Sequence, residues 1–161
     1  MLPFLSFYKR YKVNNIIEVN IKIESSIENL DASGLPEGDV EKNATEAKGF
    51  YRFNESITHL NYTEEGEGGV AVSEITIYGE EVRVRRKGAI ESDLHFKEGE
   101  THLSLYSIPP YKFDAEVRAK RVRIDLNEDG GRIDLVYNMK IGGAEKSARM
   151  KIWISKASNQ I

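Results

Sequence analysis

The chain has 161 residues, the size of one domain with its own core, and no cysteine. That excludes a disulfide scaffold, a thiolate metal site and a cysteine nucleophile. With 23 Lys and Arg against 26 Asp and Glu, the net charge of −3 draws the molecule as a whole neither to nucleic acid nor to anionic lipid.

Leu2 to Tyr8 is a short apolar stretch followed by Lys9, Arg10 and Lys12. A secretory signal carries its charge before the apolar core, so this segment does not read as one. It is too short to span a bilayer, and no later apolar run approaches that length. Residues 1–13 read as an N-terminal extension and 14–157 as the folded domain, with a cytoplasmic location expected. Ile17, Val19, Ile21 and Ile23 then alternate with Glu18, Asn20, Lys22 and Glu24. Successive strand side chains point to opposite faces, so this period of two puts one face in a core and the other in water. From Ser25 to Lys42 no such pattern holds, and Gly34, Pro36 and Gly38 predict a long mobile loop. Gly49-Phe50-Tyr51-Arg52-Phe53 predicts the next strand, and Leu60, Tyr62 and Glu64 share a face of the one after. A less regular strand over 70–78 is read through Val70, Val72, Ile75 and Ile77. Val82, Val84 and Arg86 share a face, and Leu94 with Phe96 marks a short strand before that at 101–108. Phe113, Ala115, Val117 and Ala119 are apolar in odd phase, and Val122, Ile124 and Leu126 follow in even phase. Ile133, Leu135, Tyr137, Met139 and Ile141 form the longest clean face, and Ala148, Met150, Ile152 and Ile154 close the series.

Gly68-Gly69, Gly79, Gly130-Gly131 and Gly142-Gly143 sit where tight turns need positive φ. Strands joined in sequence by tight turns are antiparallel neighbours. With one apolar face each, they make either a barrel or a two-sheet sandwich, and closure removes the exposed edges. The expected fold is all-β, a closed or nearly closed antiparallel barrel of about eight to ten strands.

The same residues resemble those of the YwiB-like family, bacterial proteins with a calycin-like β-barrel and no activity to carry over. The resemblance runs over roughly residues 15–155. It rests on Gly49-Phe50-Tyr51, Leu60-Asn61-Tyr62-Thr63-Glu64-Glu65, Val82 through Gly88, Leu94 through Gly99, Tyr106 with Pro109, and Gly131 through Tyr137. This chain departs from the family pattern at Ile108-Pro109-Pro110-Tyr111 and at Ala119. The resemblance implies a barrel related in shape to lipocalins.

Polar residues in apolar phase are the candidates for function. Arg86 follows Val82 and Val84, so the alternation aims it into the barrel, where a guanidinium needs a partner. Glu64 is the candidate partner, with Tyr62, Tyr106 and Tyr137 supporting. One reading is structural: the pair closes one barrel end. The other is that Arg86, Glu64, Tyr62, Tyr137 and Tyr106 orient the polar head of a small amphipathic or anionic ligand. Phe96, Leu135, Met139 and Met150 would then meet its apolar part. An alternative for the whole molecule is a solid-core module acting through its outer surface, the 25–42 segment or the N-terminal tail, on a protein partner or in a homo-oligomer. The cations at Arg83–Lys87 and at Arg118, Lys120, Arg121 and Arg123 have few aromatics between them. They read as ordinary surface, with no nucleic-acid partner expected. His59, His95 and His102 form no same-face pair two residues apart, and no metal or cofactor is expected. Among enzyme signatures there is no Walker loop, nucleophile elbow or zinc helix, so an enzyme is not the expected reading.

Overall fold

Alternating strands with short turns have closed on themselves. The computed structural model describes residues 16–66, 68–108 and 110–157, with only the backbone at Ile108. The extension read at residues 1–13 lies outside them. Ten strands follow in order: β1 (Ile17–Leu30), β2 (Pro36–Arg52), β3 (Ile57–Gly66), β4 (Gly69–Tyr78), β5 (Glu81–Gly88), β6 (Glu91–Phe96), β7 (Thr101–Ile108), β8 (Tyr111–Asn127), β9 (Gly130–Ile141) and β10 (Ala144–Lys156). Each pairs antiparallel with its chain neighbours, and β1 pairs with β10 to close the barrel. The β1–β2, β3–β4, β5–β6, β7–β8 and β9–β10 turns therefore gather at one end, here the mouth. The remaining turns gather at the other, the base.

The inward face is the one the alternation marks. Val19, Leu60, Ile75, Val82, Phe96, Val117, Ile133, Leu135 and Ile152 are fully buried and belong to one continuous core. Each such side chain contributes roughly 1.5–3 kcal/mol. Tyr51 joins them, and its hydroxyl is satisfied by donating to the Asn127 carbonyl at 2.7 Å. At Gly49 the β2 backbone passes so close to β3 that a Cβ would overlap the Asn61 carbonyl oxygen. Only glycine fits there.

Two local readings change, and the inward face of β7 is assigned. Residues 25–42 are not a mobile loop: they complete a long β1–β2 hairpin, paired through Ser25↔Asn43 to Leu30↔Pro36 with a bulge between Ile27 and Asn29. The Asp31 carboxylate accepts from the backbone N–H groups of Ser33 and Leu35 and ties the turn. This stretch of β2 is solvated on both faces, so no apolar alternation announces it. On β4 the inward residues are Ala71, Ser73, Ile75 and Ile77, while Val70 and Val72 are about half exposed. Hydrophobicity misleads here because small side chains are needed inside: Ser73 and Ala71 lie opposite Arg86 and Glu64. On β7, His102, Ser104 and Tyr106 share the inner face, opposite Val117, Ala115 and Phe113, and Leu103 and Leu105 point outward.

The phase change on β8 has a backbone cause. The register with β9 slips between Ala119 and Arg121, so Lys120 and Arg121 together oppose Val136. This bulge moves the apolar phase from odd to even residues.

Candidate functional site

The ladder between β5 and its neighbours positions the candidate cluster. Arg86 stands opposite Ser73 on β4 and Ser92 on β6, two small buried residues that leave room for its long side chain. From β3, Glu64 meets it: Arg86 Nη2 lies 3.3 Å from Glu64 Oε1, and each side chain is 23 % exposed. Burial works against the charged guanidinium, and the fields of Tyr62 and Glu64 outweigh it, raising the Arg86 pKa. The cation is thus held charged inside the wall, near the mouth.

Three tyrosines surround this pair. Burial pushes the Tyr137 hydroxyl up to about 12, with Arg86 opposing and Tyr106 adding to the rise. Burial likewise raises Tyr62, against the pull of Arg86. These hydroxyls stay protonated at neutral pH and can donate to an anion as well as accept. Ser73 is fully buried beneath the pair, with the Tyr62 hydroxyl as its polar neighbour.

The other candidates fall at different depths. Tyr62, Tyr106, Tyr137, Glu64 and Arg86 come together. Met139 is nearly buried on β9 in the half toward the mouth. Phe96 stands deeper in the filled core and reaches the cluster through Tyr137, its ring centroid 4.8 Å away. Leu135 is likewise in the filled half, and Met150 is half-buried on β10. At the mouth, Phe113 and Tyr111 continue the inward row of β8 with 39 % and 65 % of their surface exposed. They supply an apolar collar that sequence reasoning did not assign.

Two further assemblies were missed because each forms only where neighbouring strands set their side chains side by side. The His95 and His102 rings lie 4.1 Å apart where β6 and β7 separate, with Glu81 3.2 Å from His95 and Glu100 3.6 Å from His102. Among the described residues, no group of three His, Cys, Asp or Glu is placed to hold a metal ion. On the outer face, Asp134 Oδ2 is approached by Arg149 at 3.4 Å, Arg132 at 3.6 Å and Arg121 at 3.9 Å. No helix among the described residues is long and apolar enough to cross a membrane.

Comparison with known proteins places this geometry. In sequence, the chain is 28 % identical over 98 residues to the "Uncharacterized beta-barrel protein YwiB" of Bacillus subtilis (strain 168), covering 61 % of this chain and 69 % of that one. In fold, it matches the crystal structure of the ywiB protein from Bacillus subtilis with a TM-score of 0.77 at 23 % identity, over 92 % of this chain and 99 % of that chain. The family model described as a domain of unknown function, DUF1934, matches residues 21–154, nearly the whole barrel, and the chain belongs to that family.

Proposed function

We propose that the mouth half of this barrel binds a small amphipathic anion, its charged head on Arg86 and its apolar part against Met139, Phe113 and Tyr111. The observation that carries this reading is the polar cluster itself. A salt bridge whose only task is to close a wall does not need three inward tyrosines around it. The pair also keeps about a quarter of each side chain in contact with solvent. Its planar fork suits a carboxylate or phosphate. On this reading the barrel is calycin-like in use as well as in shape, the protein is a cytoplasmic binding protein, and no catalytic step is assigned.

Thermal shift with decanoate and with inorganic phosphate tests the reading. A ligand that prefers the native state raises Tm as its concentration passes Kd. Decanoate is expected to raise Tm in the natural chain and not in the charge-balanced Arg86→Gln/Glu64→Gln double variant. Equal shifts in both, or none in either, would remove the proposal.

A second reading is favoured by one observation: Leu103 and Leu105 stand outward on β7, 79 % and 55 % exposed. Such a pair on one strand fits contact with a second copy of the chain. Leu103→Glu/Leu105→Glu should lower the mass measured by light scattering if that contact forms. A natural chain that stays monomeric at high concentration rules it out.

A further inference from the structure

The register of β8, β9, β10 and β1 lines up cations that are scattered in the sequence. One row across the outer face reads Arg121, Val136, Arg149, Ser26; the next reads Arg123, Asp134, Lys151, Glu24; the third reads Asp125, Arg132, Trp153, Lys22. Asp134 is therefore a nearly buried carboxylate at the centre of a ring of cations. One carboxylate cannot neutralise Arg121, Arg132 and Arg149 together. All three contacts fall on Oδ2, and the arginine side chains stay 36–46 % exposed. The β8 bulge adds to the excess by turning both Lys120 and Arg121 to this side. Arg121 Nε and Asp134 Oδ1 are both buried without a hydrogen-bond partner, so the ring keeps one unused donor and one unused acceptor. Trp153, the sole tryptophan, lies at the edge of the ring, with Arg132 5.3 Å and Lys22 5.8 Å from its ring centre. Grooves of about 540 Å³ beside Arg121 and Arg149 and about 480 Å³ beside Arg123 and Arg132 cross the same face. Carboxylates border it at Glu24 and Glu28, and Glu24 is itself paired with Lys22 at 3.3 Å.

From this juxtaposition we infer that the outer face of β8–β10 binds the phosphate backbone of a single-stranded nucleic acid, with Asp134 gathering the arginines and Trp153 offering a stacking surface. Arginine forks match phosphodiester oxygens, and an aromatic beside a basic track is the usual platform for unpaired bases. A strand without a partner can follow the outside of a barrel and leaves its bases free to stack. An anionic membrane is the weaker match, because the exposed valines and leucines that would enter it stand on β4 and β7. Along the chain Arg121 and Arg123 have few aromatics between them, and Arg132, Arg149, Lys151 and Trp153 join them only through the sheet.

Fluorescence anisotropy of labelled oligouridine and oligothymidine with the full chain tests the inference, alongside quenching of Trp153. Saturable binding is expected, weakening about tenfold or more between about 50 mM and 200 mM salt. Lys120→Gln/Arg123→Gln, which leaves the three Asp134 contacts intact, should weaken it several-fold, and Arg121→Gln/Arg149→Gln should weaken it further. Lys87→Gln/Lys97→Gln removes the same charge elsewhere and should leave it unchanged. No saturable binding, equal losses in all three variants, or binding only to vesicles containing phosphatidylglycerol would each overturn the inference.

Discussion

Inside the wall one cation meets one anion, and outside three cations crowd one anion. Arg86 and Glu64 are 3.3 Å apart and equally shielded, with burial opposing the charge on Arg86. Around Asp134 the arginines sit at 3.4–3.9 Å and keep over a third of their surface in water. The difference teaches what each environment tolerates. A partly buried charge is retained only where an opposite charge matches it, whereas on the surface water screens an excess. The interior pair is therefore a matched structural unit that a ligand could only share. The exterior ring carries spare positive charge.

The largest effect should come from unmatching the inner pair. Glu64→Ala strands Arg86 and should cost about 3 kcal/mol in denaturant unfolding. Arg86→Met/Glu64→Leu, which removes both charges, should cost far less. A double variant as unstable as the single one would mean that shape, not charge, governs the site.

Next in size is the loss of stability in alkali. Tyr137 ionises near 10 when unfolded and at about 12 when folded, so the folded state favours the protonated form. Its contribution is fully present below pH 10. Above that the unfolded chain loses its proton first, and stability falls by about 1.4 kcal/mol per pH unit until pH 12. Urea titrations from pH 9 upward should show a shallower fall in Tyr137→Phe, although Tyr51 and Tyr62, also raised by burial, add to the slope in both proteins.

In the outer ring, Asp134→Asn leaves the arginines repelling one another and should cost about 1–2 kcal/mol, recovered in part by added salt. A cost independent of salt would show that Asp134 acts by packing alone.

The smallest effect should be at Asp93, whose carboxylate accepts from Arg83 at 2.6 and 2.8 Å. The Arg83 hydrogen bond holds Asp93 below the usual carboxylate range, so its contribution is present above the unfolded pKa and lost as pH falls through the folded one. Both side chains are about 40 % exposed, and screening reduces the expected cost of Asp93→Asn to about 0.5 kcal/mol. A cost matching that of Glu64→Ala would break the rule that burial, more than distance, sets the worth of a pair.

Much of the interior was legible because it is written locally. Arg86 following Val82 and Val84 already implied an inward guanidinium, and Glu64 after Leu60 and Tyr62 implied an inward carboxylate. The β4 face was misread because Val70 and Val72 are more hydrophobic than Ala71 and Ser73, and composition carries no record of the room a neighbouring arginine requires. The hairpin at 25–42 escaped because a strand with water on both sides has no reason to alternate. The cluster at Asp134 was beyond local reading: Arg121, Arg132 and Arg149 lie on three strands and become neighbours only through ladder register.

By itself the order of residues determined an all-β chain, its strands and turns outside the 25–42 hairpin, and the inward aim of Arg86, because side-chain direction repeats every two residues whatever the partner strand. Only the tertiary structure decided that ten strands close, that β8 bulges at Lys120, and that one carboxylate gathers three arginines, because these depend on which distant backbones share hydrogen bonds.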